Sequence, residues 1–289
     1  MMQPELVLDL KLDLGEGPAW DSQAGILSFV DIRAGDLHLF HPATASHRTF
    51  NLGEPVGCAA PASTNEFILG LRSGIWTFNL PTQTLTQVLH PENIPGNRFN
   101  DGKCDPRGRF IAGSMDNAET ENTGSLYSYS ADGTCRTLLT GLGISNGLTW
   151  SPDQKTFYFI DTPTRKVMAY DYNLDTGDIT NPRQVVYIPN GMGWPDGMTS
   201  DMDGMLWIAM WGGAKMTRWN PANGQLLDVY PIPALNVSAC CFGGPDLTDL
   251  YITSARKGMT EKQVEQYPLT GGLFRLRPGV SGAPTFKFG

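Results

Sequence analysis

Three features of the sequence predict an all-β protein, a six-bladed β-propeller with a metal site in its central channel, forming one domain over residues 1–289. First, a short phrase returns six times: Glu16-Gly17-Pro18-Ala19-Trp20, Val56-Gly57-Cys58-Ala59, Asp101-Gly102-Lys103-Cys104, Asn146-Gly147-Leu148-Thr149-Trp150, Asp196-Gly197-Met198-Thr199 and Ser238-Ala239-Cys240-Cys241. Its lead positions, 16, 56, 101, 146, 196 and 238, stand 40, 45, 45, 50 and 42 residues apart, a period that belongs to solenoids, propellers and arrays. Second, each phrase is followed by the same succession of short strand signals. Third, four of the six lead residues, Glu16, Asp101, Asn146 and Asp196, are oxygen donors. An all-β sandwich is the competing architecture, but it gives no reason for a six-fold phrase.

The elements follow in order. Leu6 to Leu12 alternates apolar and polar and is expected to be the outermost strand of the last blade, closing the ring. After each phrase a polar turn leads into an apolar strand: Ile26 to Asp31, Arg109 to Gly113, Thr156 to Asp161, Met205 to Ala209 and Leu250 to Thr253. Aromatic and β-branched residues bounded by Gly, Pro, Asn and Asp are strand signals. A third strand ends on a bulky residue in each unit, at Phe40, Phe78, Tyr129, Tyr170, Trp219 and Leu276. Fourth strands include Arg48 to Leu52 and Gln184 to Ile188. Thr260 to Gln266 is the one helical turn expected. The 33 glycines and 21 prolines suit a chain made of many short strands and turns.

Composition excludes several partners. A net charge of -8 with no basic run argues against nucleic acid. No apolar stretch reaches transmembrane length, and Met1 to Gly15 has neither a basic leader nor an apolar signal core. A cytoplasmic location without membrane association is therefore expected. Five cysteines without a CxxC pair read as buried free thiols in a reducing compartment.

In a propeller the innermost strands line the channel, so equivalent residues of successive blades ring one axis. Glu16, Asp101, Asn146 and Asp196 should then converge at one mouth. Such a ring of oxygen donors suits Ca²⁺, Mg²⁺ or Mn²⁺ and can hold Zn²⁺. Taken one at a time, Asn-Gly and Asp-Gly are good turn formers; their shared place in the repeat is what favours a site. His38, His41, His47 and His90 lie outside the phrases and are expected at the surface, which disfavours a His-rich zinc site and a Ser-His-Asp triad. Trp20 and Trp150, four residues after their donors, are expected to pack between blades. Lys103 is expected on an inner strand beside a carboxylate.

Longer stretches carry a resemblance. Leu14-Gly15-Glu16-Gly17-Pro18-Ala19-Trp20, Asn97-Arg98-Phe99-Asn100-Asp101-Gly102-Lys103, Ile144-Ser145-Asn146-Gly147-Leu148, Pro195-Asp196-Gly197-Met198 and Leu250-Tyr251-Ile252-Thr253-Ser254-Ala255-Arg256 resemble, in order and over nearly the whole length, the SMP-30/gluconolactonase/LRE family. That resemblance implies a six-bladed propeller with one divalent metal held by Glu16, Asn146 and Asp196. It implies Asp196 as general base, Arg98 and Asn100 as substrate contacts, and Asp101 beside the metal. It also implies an acidic substrate contact after Gly113-Ser114-Met115. There the spacing is shifted; Glu119 is the choice, with Asp116 and Glu121 open.

The expected function is a metal-dependent lactonase that opens aldonolactones such as glucono-1,5-lactone, with Ca²⁺, Zn²⁺, Mn²⁺, Mg²⁺ or Fe²⁺ as cofactor. The partner is a small sugar lactone, and the chain is expected to be a monomer or weak homo-oligomer. The alternatives are a non-enzymatic Ca²⁺-binding propeller and a propeller esterase with another ester substrate.

Overall fold

The computed structural model describes residues 3–289; Met1 and Met2, which open the expected domain and leaderless segment, lie outside it. Six four-stranded antiparallel sheets follow one another along the chain. Their innermost strands are Gly15–Asp21, Val56–Ser63, Asn97–Cys104, Ser145–Trp150, Trp194–Ser200 and Asn236–Gly243. Each is the first strand of its blade, and the chain then moves outward, as the repeat predicts. The sixth blade takes its outermost strand from the other end of the chain: Glu5–Leu8 pairs with Leu273–Leu276. This closes the ring as expected, with a shorter strand than Leu6 to Leu12. The propeller so formed protects its edges by radial repetition.

The gradient of burial explains why the sequence reads as it does. The first inner strand is buried at every position, whereas the outermost strand of the same blade, Ser46–Asn51, buries only Phe50. Apolar clusters fill the gaps between blades. One joins Leu14, Val30 and Leu37 to Val56, Leu69 and Phe78; another joins Trp207 and Met216 to Phe242, Ile252 and Phe274. Trp20 stacks on Tyr251 of the sixth blade at 6.0 Å and is 5% exposed. Trp150 sits with Tyr172 and Phe157 in the fourth. Both therefore pack, as expected.

The helix is Glu261–Gln266, capped by Thr260 through a capping box with Gln263. All five cysteines are free. Burial raises the pKa of the Cys58 and Cys104 thiols and pushes that of Cys240 up to about 12, so they remain neutral packing groups. One expectation fails: His38 is buried, not superficial. It stacks on Phe29 and His47, and burial followed by repulsion from His47 lowers its pKa to about 4. Among the described residues no helix is long and apolar enough to cross a membrane.

Candidate active site

The recurring phrase is not a turn. In every blade it lies within the innermost strand, and there the pairing with the second strand slips. The shifts fall between Glu16 and Ala19, Val56 and Cys58, Phe99 and Gly102, Ser145 and Leu148, Pro195 and Met198, and Val237 and Ala239. Such a bulge kinks the strand and re-aims its side chains. The turn-former reading of Asn-Gly and Asp-Gly is therefore corrected: these pairs mark six equivalent bulges.

At three of the phrases the glycine answers to the next blade. A Cβ at Gly147 would stand 2.5 Å from the Asp196 carbonyl oxygen, and one at Gly57 would stand 2.3 Å from that of Phe99. A Cβ at Gly197 would meet Ala239 at 2.4 Å. At Gly17 the requirement is conformational, with φ of 54°, a left-handed value that favours glycine.

Three of the four expected donors converge on one cavity. Glu16, Asn146 and Asp196 line a cavity of about 670 Å³ together with Arg98, Asn100 and Glu119. Glu16 is 6% exposed, Asn146 4% and Asp196 5%. Burial, then the nearby charges of Asp196 and Asp101, raises the Glu16 pKa well above the carboxylate range. Burial, then Asp101, does the same to Asp196. Asn146 is oriented by donating from Nδ2 to Thr162 Oγ1 at 3.1 Å, and Thr162 donates in turn to the Pro195 carbonyl at 2.9 Å. That leaves Asn146 Oδ1 aimed into the site. It and Asp196 Oδ1 are buried and have no hydrogen-bond partner among the described residues.

No group of three or more His, Cys, Asp or Glu side chains gathers as a metal cluster among the described residues. The set here is two carboxylates and an amide. Two orphaned oxygens and two mutually repelling buried carboxylates nevertheless form an environment that a hard divalent cation would satisfy. Asp101 is also buried, but it is not on the cavity wall; its Oδ1 accepts from Gly102 N at 2.7 Å. It acts on Glu16 and Asp196 through its charge.

Arg98 and Asn100 are locked to each other. Arg98 Nη1 donates to Asn100 Oδ1 at 2.7 Å and to the Phe99 carbonyl at 2.9 Å, and Nε donates to Asn117 Oδ1 at 3.0 Å. Asn100 Nδ2 donates to the Ser145 carbonyl at 2.8 Å. The guanidinium is thus a buried cation with only neutral acceptors, and burial lowers its pKa.

Of the three acidic candidates in the following loop, Glu119 alone lines the cavity. Asp116 is consumed by the loop itself: it accepts from the backbone N–H of Ala118, Thr120 and Glu121, which with the Thr120 hydroxyl holds its pKa at about 2. Glu119 is ion-paired with Lys257 of the sixth blade, so the pair bridges two blades at the mouth. Lys103 is on an inner strand, as expected, but its hydrogen bond is to the Met198 carbonyl, not to a carboxylate. Thr162, Asn117 and Lys257 went unread in the sequence, because each meets the site from a connection between strands, Thr162 from the 3-10 turn Thr162–Thr164.

Comparison with known proteins agrees with this construction. Residues 14–256 match the model of the SMP-30/Gluconolactonase/LRE-like region. The chain is 37% identical over 288 residues to YvrE of Bacillus subtilis (strain 168), a protein assigned as a sugar lactone lactonase, covering 99% of each chain. It is 36% identical to regucalcin of Xenopus laevis over 97% of each. The crystal structure of a calcium-binding protein, regucalcin from Agrobacterium tumefaciens, superposes with a TM-score of 0.93 at 27% identity, covering 99% of this chain and 97% of that one. A six-bladed propeller with this order of motifs, matched along its length by these relatives, belongs to the SMP-30/gluconolactonase/LRE-like family.

Proposed function

We propose that this chain is a metal-dependent hydrolase that opens aldonolactones, such as glucono-1,5-lactone, to the aldonic acid. The observation that carries the reading is the cavity floor. Two buried carboxylates, Glu16 and Asp196, stand beside orphaned oxygens, and Arg98 and Asn100 share the same wall. Glu16, Asn146 and Asp196 would hold one divalent cation, with Ca²⁺, Zn²⁺, Mn²⁺, Mg²⁺ and Fe²⁺ all admissible to an all-oxygen donor set. When bound, that cation supplies Lewis-acid polarisation of the lactone carbonyl and offsets the negative charge that develops on its oxygen.

The remaining steps belong to the chain. Asp196 accepts a proton from the attacking water as the water oxygen bonds to the carbonyl carbon. Asp196 then gives the proton to the ring oxygen as the carbon–oxygen bond breaks, and the product leaves as a hydroxy acid. Arg98 and Asn100, pre-set by their mutual hydrogen bond, hold sugar hydroxyls, and Glu119 supplies an acceptor at the mouth. Preorganised donors of this kind lower the cost of orienting substrate. The assignment of YvrE as a sugar lactone lactonase supports the substrate class. The five free thiols suit a reducing compartment, in keeping with a cytoplasmic enzyme. We take the domain to span the whole chain.

A second reading, Ca²⁺ binding without turnover, is favoured by the calcium-binding regucalcin structure. The arginine on the cavity wall weighs against it, because a site built only for a cation gains nothing from a second one nearby. A proton-release assay decides. Protein stripped with a chelator should lose glucono-1,5-lactone hydrolysis above the spontaneous rate and regain it with one of the five ions. Absence of turnover with every ion, across pentono- and hexonolactones, would leave the binding reading standing.

A further inference from the structure

Four of the seven tryptophans are buried and two are half-buried; Trp194, 46% exposed, is the remaining one. It lines the same cavity as Asp196. Trp194 and Asp196 stand two apart on one inner strand, and both line the cavity. Its Cα partner across the sheet is Trp211, which also lines the cavity and packs against the cluster of Leu14 and Ala255.

The Trp194 ring is held in place from one side. The Arg165 guanidinium lies 4.5 Å from its ring centroid. Arg165 does not depend on the ring for its position: it donates to the carbonyls of Ile188 at 2.9 Å, Pro189 at 2.8 Å and Gly193 at 2.6 Å, and it is 9% exposed. The last of these carbonyls belongs to the residue before Trp194, so one buried cation clamps both the ring and its backbone. A cation over an aromatic face is attractive, and a side chain fixed before binding loses little entropy on contact with ligand. What results is a clamped indole, 46% exposed, on the lining of a polar site.

The cavity also has room to spare. Its volume of about 670 Å³ falls within the range of about 300–1,000 Å³ that encloses drug-sized ligands, more than one six-membered lactone ring requires. The polar end is built from Glu16, Asp196, Arg98 and Asn100. Trp194, Trp211 and Pro163 add an apolar part to the cavity lining. A sugar ring has a matching character, with polar edges and an apolar face of C–H groups, and tryptophan suits contacts that are apolar on one side and wet on the other.

We propose that Trp194 is the platform of a second sugar-binding subsite, and that the preferred substrate is a lactone bearing a further glycosyl residue, an aldobionolactone. This rests on the lactonase reading for its chemistry, but the platform itself can be tested without turnover. The metal-loaded enzyme is assayed on glucono-1,5-lactone and cellobiono-1,5-lactone. The wild type should favour the disaccharide lactone in kcat/KM. Trp194→Ala should lower that preference about tenfold, through KM, and Trp194→Phe should recover part of it.

Saturation-transfer NMR on cellobionate supplies the second readout. In the wild type, saturation should fall on the non-lactone glucose ring, and it should vanish in Trp194→Ala. Trp194-dependent saturation without hydrolysis of either lactone would keep the platform and overturn the lactonase reading. Hydrolysis of both lactones with a ratio unmoved by Trp194→Ala would overturn the platform and keep the lactonase. Absence of Trp194-dependent saturation would likewise overturn the platform.

Discussion

At the residue scale the site stores unfavourable electrostatics. Glu16 and Asp196 are buried, close in charge and raised in pKa, so the metal-free protein pays for them whenever they ionise. The sign follows from linkage. A carboxyl whose folded pKa exceeds its unfolded value contributes stability below the unfolded pKa, and that contribution is lost as pH rises through the folded pKa. In the metal-free protein the contribution of this pair should therefore fall from about pH 4 upward. Glu16→Gln should flatten that loss and melt higher than wild type at neutral pH, by about 2–4 °C for each kcal/mol recovered. It should also remove lactone turnover. Thermal melts of both proteins with chelator, across pH, check this; equal melting temperatures at pH 5 and pH 8 would show that the Glu16 charge is already compensated. Added cation should reverse the order, since a ligand that binds only the folded state stabilises it by about 2.7 kcal/mol at a hundred times its Kd.

At the element scale the inner strands hold the donors in register. Each phrase sits in a bulge, and its small residue lets the neighbouring strand come close. Gly147 bears most directly on the site, because its missing side chain makes way for the Asp196 backbone. Gly147→Ala should cost about 1–3 kcal/mol through overpacking. By shifting Asp196 it should lower turnover on the order of 100-fold, since a displacement of about 1 Å at a reacting group can have that effect. Melting and kcat measured together test the claim; a stability loss with wild-type kcat would show that the strand yields without moving Asp196. The bulge also explains what the sequence left ambiguous. Asn-Gly and Asp-Gly serve turns and bulges equally well, and only cross-strand pairing tells them apart.

At the scale of the whole molecule, both chain ends secure the ring. The N-terminal strand completes the sixth blade. The C-terminal tail crosses the end of the channel opposite the carboxylates. Ser281 accepts from Met202 N, Ala283 donates to the Ser200 carbonyl, Phe288 to that of Pro61, and Gly289 to that of Gly108. Phe288 stacks on Tyr129 at 5.7 Å, and Lys287 is ion-paired with Asp21. Gly282 also donates to the Leu247 carbonyl, so the tail touches the first, second, third, fifth and sixth blades, and it walls a smaller cavity of about 200 Å³ with Ala283 to Phe286. Five backbone hydrogen bonds at about 1 kcal/mol each, plus partial burial of two phenylalanines, amount to several kcal/mol. Removing residues 281–289 should therefore lower the melting temperature on the order of 10 °C. An unchanged melt would show that the tail merely rests on the blades.

The sequence by itself determined the number of blades, the order of strands, and the convergence of Glu16, Asn146 and Asp196. Those properties repeat with the chain, and a repeat in a closed ring converts a shared sequence position into a shared place in space. It did not reveal that His38 is buried, because a histidine in an alternating strand reads the same whether it faces water or Phe29. The choice of Glu119 over Asp116 and Glu121 was likewise open until backbone N–H groups were seen to claim Asp116. Only the tertiary structure decided the clamp of Arg165 on Trp194, the Glu119–Lys257 bridge and the path of the tail. Each depends on residues brought together from loops of different lengths, and no period in the sequence records where a loop will fold back.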